Sequence, residues 1–231
     1  MVTTPVPTKP RRASYTTVAL KWAMAITGIL FVLFVLAHMY GNLKAFSGQE
    51  AFDGYAHSLR ELLYPYLPHG GFLWIQRVVL VVALVVHAGS AFALWSRAKK
   101  ARGHRYVQHK RLVQTYSART MRWGGVIVLA FVVFHILQFT TMTIEVGGSF
   151  DSPYERLVVA FQHWYVYVAY LIAIVALTMH VRHGVWSSLQ TLGASDRTRQ
   201  RAINVAAYLV AAALLVGFML PPTAILLGFV N

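Results

Sequence analysis

Residues 72–95 read FLWIQRVVLVVALVVHAGSAFALW, an apolar run that is long enough to cross a membrane as a single helix. A helix needs ~20 residues to cross the ~30 Å hydrocarbon layer of a bilayer. His87 stands well inside this run, where an ionisable ring is costly and therefore points to a functional role. The stretch predicts a membrane helix that carries a functional histidine.

Four more runs of the same character occur along the chain. With the first they define five predicted spans: 19–41, 72–95, 123–144, 161–182 and 203–229. Each of the first four spans holds a histidine at its interior or near its inner or outer end: His38, His87, His135 and His180. We therefore predict an all-α integral membrane protein with five transmembrane helices, in which four helices surround the histidines and the fifth is a packing helix.

The composition supports a membrane protein and excludes several classes of site. Hydrophobic residues make up 57% of the chain, charged residues only 12%, and the mean hydropathy is +0.54. Cysteine is absent, so disulfides, iron–sulfur clusters and thiolate-ligated haem are excluded on this chain. We expect an N-terminal segment, 1–18, followed by one membrane domain, 19–231, with a short surface helix near 50–64. We expect no cleaved signal peptide, because the basic N-terminal stretch runs directly into a full-length span.

Charged residues are distributed unequally between the two sides that five spans define. Most basic residues precede span one or lie in the second and fourth connections, all on one side. The other side holds six of the seven acids: Glu50, Asp53, Glu61, Glu145, Asp151 and Glu155. Because positively charged loops stay in the cytoplasm, we expect a multi-pass protein of the cell membrane with a cytoplasmic N-terminus and an outside C-terminus. The net charge of +14 could suggest a nucleic-acid partner, but the basic residues are concentrated where membrane topology places them. We therefore expect no nucleic-acid partner.

The predicted orientation sorts the four span histidines into two pairs by depth. His38 and His135 fall in the outer half of spans that run outward, whereas His87 and His180 fall in the inner half of spans that run inward. A haem with two axial imidazoles needs ligands from facing helices at similar depth. We therefore expect two haems, one for each pair. The alternatives are a single haem, a proton pathway, or histidines that only make interhelical hydrogen bonds.

The other histidines are weaker candidates for metal ligands. Four of them lie in connections, where we expect them to be solvated: His57, His69, His104 and His109. His163 lies at the mouth of span four, and we expect an interfacial role for it. His183 competes with His180, because it follows three residues later on nearly the same helix face.

The run that begins at His180 carries a more specific pattern. It reads HVRHGVW from His180 and QTLG from Gln190, and it resembles the fourth core helix of a known family. This family is the cytochrome b membrane anchor of succinate:quinone oxidoreductases, of the single-anchor, two-haem type. Residues 116–124, YSARTMRWG, resemble the start of its third span, and the four span histidines are similar to its ligands in order and spacing. The resemblance covers the chain from Tyr15 to the end.

The resemblance implies that the chain conducts electrons in the respiratory chain. A flavoprotein subunit would oxidise succinate, an iron–sulfur subunit would pass the electrons on, and this chain would deliver them to quinone, with menaquinone expected. The implied ligands are His87 and His180 for the haem proximal to the iron–sulfur subunit, and His38 and His135 for the distal haem. The family's ligand is the first histidine of His-x-x-His-Gly, which implies His180 rather than His183. The chain itself would hold no succinate site, and a higher oligomer of the complex stays open.

Three further positions follow from the same resemblance. Arg182, beside His180, is a candidate partner of a haem propionate, or a helix anchor at the interface. Glu61 lies in the neighbourhood where related fumarate reductases carry an acid for quinol oxidation, so it is a candidate for the quinone site or a solvated carboxylate. Thr178 stands where some relatives carry a glutamate that relays protons, and we do not expect that route here.

Several polar residues and glycines at membrane depth are open to two interpretations. The polar ones could bond a haem propionate or a quinone carbonyl, or could make ordinary packing contacts: Tyr40, Gln138, Tyr167 and Tyr170. The glycines could permit close approach of a helix or a macrocycle: Gly28, Gly89, Gly124 and Gly125.

We therefore expect the dihaem anchor of a succinate dehydrogenase, with three alternatives. A fumarate reductase anchor would run the reverse reaction. A transporter or proton channel would use the histidines as a relay and need no haem. A haem-free structural anchor would assemble and support quinone reduction without the four histidines.

Overall fold

The described part of the protein is entirely helical. The computed structural model describes residues 15–100, 114–194 and 196–231, and for 114–120 it describes the backbone alone. These residues form seven α-helices and one short 3-10 helix (Lys44–Ser47): α1 (Thr17–Leu43), α2 (Gln49–Glu61), α3 (Gly71–Lys100), α4 (Gln114–Phe139), α5 (Pro153–Gln162), α6 (Trp164–Thr191) and α7 (Gln200–Leu226). Most of the predicted segment 1–18 lies outside the described residues, as do His104 and His109 in the second connection.

Five of these helices are long and apolar enough to cross a membrane: α1, α3, α4, α6 and α7. The predicted all-α architecture with five spans is thus confirmed over the described residues. The predicted spans 19–41, 72–95 and 203–229 agree with α1, α3 and α7 to within a few residues. The predicted surface helix at 50–64 corresponds to α2, which ends three residues earlier, at Glu61.

The prediction for span three was wrong at its end. α4 stops at Phe139, five residues before the predicted end at 144. The amides of Thr143 and Ile144 both turn back to the carbonyl of Leu137, at 2.8 and 3.1 Å, and Met142 adopts a left-handed φ of 54°. The apolar composition continues beyond this turn, so hydropathy alone extends the span too far.

The prediction for span four was wrong at both ends. The chain breaks at His163, whose extended backbone separates α5 from α6, so that Phe161 belongs to α5. At the other end α6 continues nine residues beyond Arg182, to Thr191. The guanidinium of Arg182 lies over the ring of Tyr208 on α7, 4.2 Å from its centroid, and this cation–π contact lets the charged residue sit inside a packed helix.

The membrane helices form a bundle in which not every pair of helices is in contact. α1 packs against α3, α6 and α7, and α6 packs against α4 and α7 as well. Over the described residues, α1 with α4 and α3 with α6 form no extensive interface. The same is true of α3 with α4. α7 contributes packing contacts to α1 and α6, in keeping with its predicted role.

One end of the bundle, which we call the capped end, carries the 3-10 helix, α2 and α5. α5 was not predicted, although its start matches a capping pattern in which Ser152 accepts a hydrogen bond from the amide of Glu155 and Pro153 occupies the first turn. Asp53 on α2 accepts hydrogen bonds from the Ser152 hydroxyl at 2.6 Å and from the Tyr154 amide at 3.0 Å. The carboxylate therefore joins the two short helices.

A cluster of buried apolar residues also lies at the capped end. Most of its members come from α5 and α6, and they include Leu157, Phe161 and Tyr170. By contrast, the middle of α3 exposes many apolar side chains, such as Val81 and Val85, at 58% and 67%. An exposed apolar surface of this kind suits contact with lipid.

We expect Asp53→Ala to loosen α5. The substitution removes the acceptor of two hydrogen bonds to a charged group, which costs about 1–3 kcal/mol. Amide hydrogen exchange in α5 should accelerate by about five- to 150-fold in the detergent-solubilised chain.

Glu50→Ala is the matched control, because Glu50 is an acid on the same helix that makes no hydrogen bond or ion pair among the described residues. Its exchange rates in α5 should stay close to those of the unmodified chain. Equal exchange in the two variants would contradict the role given to Asp53.

Candidate metal centres

The structure brings the four span histidines together in two pairs. The ring centroids of His38 and His135 are 5.8 Å apart, with an angle of 79° between their planes. Those of His87 and His180 are 6.2 Å apart, at 62°. The first pair joins α1 to α4 and the second joins α3 to α6, so each pair bridges two helices that have no extensive interface with each other among the described residues. These are the pairs expected from the sequence.

The two members of each pair lie at matching depths. His87 is 16 residues after the start of α3 at Gly71, and His180 is also 16 residues after the start of α6 at Trp164. His38 is five residues before the end of α1 and His135 four residues before the end of α4. All four counts are taken from the capped end, so the His38–His135 pair lies close to it and the His87–His180 pair lies deeper in the bundle.

The centroid separations of 5.8 and 6.2 Å are close to what one iron ion held by both rings of a pair would need. A metal–imidazole bond is about 2.0–2.1 Å long and the nitrogen lies about 1.1 Å from its ring centroid, so two imidazoles on opposite sides of one iron have centroids about 6.3 Å apart. Among the described residues, no group of three or more His, Asp or Glu side chains could hold a metal. A pair without a third protein ligand suits a haem, whose macrocycle supplies the other four nitrogens.

His87 makes a hydrogen bond to a neighbouring helix. Its Nδ1 is 3.0 Å from the hydroxyl of Thr27 on α1. That hydroxyl also donates to the backbone carbonyl of Ala23, one turn earlier, at 2.7 Å. Thr27 therefore connects the ring to the backbone of α1.

His135 is held in a similar way from α6. Its Nδ1 is 3.1 Å from the hydroxyl of Tyr170, which donates to Oε1 of Gln138 at 2.9 Å. The Tyr170 ring packs edge-on against Phe131 and Phe161, with centroids 4.9 and 4.8 Å away. Tyr170 and Gln138 were candidates for a propionate or quinone bond, and the structure shows them bonded to each other and to a histidine.

The other ring of each pair is held mainly by packing. His38 stacks on Phe34 at 5.5 Å and contacts Phe218 of α7 at 5.9 Å. His180 has a buried Nδ1 without a partner of hydrogen-bond geometry, although the Met121 carbonyl of α4 lies close enough to interact with the ring. Each pair thus combines one hydrogen-bonded ring with one packed ring.

Two glycines allow neighbouring helices to approach the rings of the deeper pair. A Cβ atom at Gly28 would lie 3.6 Å from Cε1 of His87, and one at Gly125 would lie 3.3 Å from Cε1 of His180. The second contact is tighter than side chains normally accept, so a larger residue at Gly125 would displace the ring. Gly124 differs, because its nearest neighbour would be the Ala176 carbonyl at 3.8 Å.

Two predicted site residues contact groups other than the paired histidines. Arg182 stacks on Tyr208, as described above, and its contact with a propionate stays a prediction. Glu61 ends α2, with its carboxylate half exposed and 3.3 Å from His69 and 4.0 Å from His57. Its role at a quinone site also stays a prediction.

Four other positions from the sequence analysis have defined surroundings. The Tyr167 hydroxyl lies 3.2 Å from that of Thr223 on α7. Thr178 donates to the carbonyl of Val175 in its own helix. His183 contacts the ring of Trp186 at 5.6 Å, and His163 caps the start of α6. The ring of His180 contacts the ring of His87, with their centroids 6.2 Å apart.

Sequence reasoning missed Thr27 entirely. Its signal was weak, because a hydroxyl that bonds to a carbonyl of its own helix is common in membrane helices. A threonine beside Gly28, level with a histidine on the next span, was the only available hint.

Comparison with protein-family models, with curated proteins and with solved structures finds no match for this chain.

If the His87–His180 pair holds a haem, Gly125→Ala should weaken its binding, because the added methyl group would lie 3.3 Å from Cε1 of His180. Displacement of the ring should reduce the affinity of that site by about tenfold or more. Haem content per chain, measured against total protein after purification, reports the change.

Gly124→Ala is the control. Both substitutions favour the helix equally, but only one reaches the ring, so Gly124→Ala should keep the haem content of the unmodified chain. Equal haem loss in the two variants would show that ring displacement is not the cause.

Proposed function

We propose that this chain is a dihaem cytochrome b and the membrane anchor of a succinate dehydrogenase. In this proposal it accepts electrons from an iron–sulfur subunit, whose flavoprotein partner oxidises succinate, and delivers them to quinone, with menaquinone as the acceptor. The observation that carries the proposal is the facing of two histidine pairs, at 5.8 and 6.2 Å, close to the spacing that one iron requires. The proposed partners rest on the resemblance of the run that begins at His180 to the cytochrome b anchors named above.

The chain's own residues would have two tasks. The first is to hold each pair of imidazoles at a fixed depth in a medium without water, where their spacing and orientation are set by α1, α3, α4 and α6. A haem bound at each pair would accept and release one electron at a time.

The second task is to keep the two pairs within reach of each other. Tyr170, which bonds to His135, lies ten residues before His180 on α6, a distance of ~15 Å by helical rise. Thr27, which bonds to His87, lies 11 residues before His38 on α1, or ~16 Å. Two helices thus give the same spacing along the bundle. This spacing supports a path that enters at one pair and leaves at the other.

The distribution of charge supports the proposed orientation. The described residues at the end opposite the capped end include Arg97, Lys99 and Lys100 of α3, whereas the capped end carries Glu50 and Asp53. By the positive-inside rule the capped end would face the outside of the cell membrane. The basic end would then meet the soluble iron–sulfur subunit in the cytoplasm.

The first experiment is a haem assay on the purified chain, with reduced-minus-oxidised spectra. We expect two haems b per chain. His180→Ala should remove one of them, because it deletes an axial ligand, whereas His183→Ala should retain both.

The result separates the competing functions. A chain without stoichiometric haem would overturn the proposal and leave a proton channel or a structural anchor. Loss of haem from His183→Ala alone would mean that the ligand is His183, which the facing of His180 and His87 argues against.

A second experiment tests the partners. In the complex purified with its soluble subunits, succinate should reduce the haems, and added menaquinone analogue should reoxidise them. The anchor alone should show no reduction by succinate. Haem reduction by quinol but not by succinate, in a complex with an active flavoprotein, would favour the fumarate reductase direction.

A further inference from the structure

The hydroxyl groups of Thr27 and Tyr170, which contact His87 and His135, donate their hydrogen bonds to other acceptors. Thr27 donates to the carbonyl of Ala23 at 2.7 Å, and Tyr170 donates to Oε1 of Gln138 at 2.9 Å. A hydroxyl group has one proton, so neither can also donate to the histidine that it touches. With these bonds in place, the histidine is the donor in each contact and the hydroxyl oxygen is the acceptor. For His135 this direction holds with the amide of Gln138 oriented as in this structure, where its Nε2 is buried without a hydrogen-bond partner.

This direction fixes the tautomer of both rings. A neutral imidazole carries its proton on one nitrogen and its lone pair on the other. If Nδ1 of His87 and of His135 donates, then the lone pair lies on Nε2 in both rings. Nε2 is then the only nitrogen of each ring that can bind a metal.

We infer that Thr27 and Tyr170 are positioning residues that set the tautomer and orientation of one ligand in each pair, Thr27 for His87 and Tyr170 for His135. The inference rests on the proposed haem function for its redox consequence, but the tautomers themselves depend only on the contacts of the chain. It also assigns Gln138 a role, because its Oε1 accepts the hydrogen bond from the Tyr170 hydroxyl and so leaves the lone pairs of that oxygen for His135.

The environment of Tyr170 supports positioning rather than a packing role alone. Its ring is already enclosed by Phe131, Phe139 and Phe161, and at 6% exposure it would be buried without any hydroxyl. A buried hydroxyl without partners is costly, so phenylalanine would suit these surroundings better if the hydroxyl had no task. The hydrogen bonds to His135 and Gln138 are what the Tyr170 hydroxyl contributes at this position.

The two pairs differ in how the positioning hydroxyl is itself anchored. Thr27 is anchored to the backbone of α1, whereas Tyr170 is anchored to a side chain, Gln138, on the same helix as His135. An acceptor at Nδ1 makes an imidazole a stronger electron donor, which stabilises ferric haem and lowers its midpoint potential. Removing either hydroxyl should therefore raise the potential of one haem and leave the other unchanged.

The test uses Tyr170→Phe and Thr27→Val, which remove the hydroxyls and retain the packed side chains. Redox titration of the purified holoprotein should show an upward shift of one midpoint potential in Tyr170→Phe and of the other in Thr27→Val. Haem affinity at the altered pair should fall by about 10- to 100-fold. Tyr167→Phe and Thr178→Val are the controls, because these hydroxyls bond to Thr223 and to the Val175 carbonyl, and both potentials should stay as in the unmodified chain.

A second measurement does not depend on haem. In the full chain labelled with ¹⁵N-histidine and purified without haem, imidazole ¹⁵N shifts should report protonated Nδ1 at His87 and His135. The His135 signal should change in Tyr170→Phe and that of His87 in Thr27→Val, with assignments made from His→Asn variants.

The two measurements separate the inference from the proposed function. A chain that binds no haem but shows both Nδ1–H tautomers would overturn the function and keep the positioning role. Protonated Nε2 at His87 or His135, or unchanged potentials in both variants of a dihaem chain, would overturn the positioning role. A shift of the same haem in both variants would also overturn it.

Discussion

The absence of water in hydrocarbon is the constraint on which this structure depends. A polar group that is left unpaired in hydrocarbon costs several kcal/mol, about 2–7, so partners within the chain are strongly favoured. Among the described residues, Nδ1 of His180 and Nε2 of Gln138 are buried without such a partner. Helices satisfy the backbone, and the histidines need partners of their own. Thr27 and Tyr170 serve two of the four rings, and aromatic contacts enclose His38. The need to satisfy these rings links the placement of the helices to the geometry of the candidate metal centres.

The gross fold follows from composition and length. Five apolar runs were sufficient to predict five spans, because a span has a minimum length and few charges. The boundaries were harder, since they depend on single contacts. α6 continues beyond Arg182, whose guanidinium stacks on the ring of Tyr208. α4 ends before the predicted boundary because the Leu137 carbonyl accepts hydrogen bonds from the amides of Thr143 and Ile144, where the chain turns back. α5 was not predicted, even though Ser152, Pro153 and Glu155 form a capping pattern at its start, because a single capping pattern does not show that a helix follows.

The candidate site also has one part that the sequence predicted and one part that it did not. The pairing of His38 with His135 and of His87 with His180 was predictable from depth and direction, since alternate spans run in opposite senses. The hydrogen bonds of Thr27, Tyr170 and Gln138 were not predictable. They depend on the rotation of each helix about its axis and on side-chain rotamers, which hydropathy does not specify. Sequence reasoning therefore identified which rings meet but not what orients them.

Each histidine pair joins two helices that have no extensive interface with each other in the described part of the chain. A cofactor held between them would act as a cross-brace at one depth of the bundle, and its binding free energy would contribute directly to the cohesion of the fold. Two cofactors, one at each histidine pair, would limit sliding of α1 against α4 and of α3 against α6 independently. The bundle without cofactors would then be rigid along its packed neighbours, yet free to deform along its diagonals, and most of all away from the capped end.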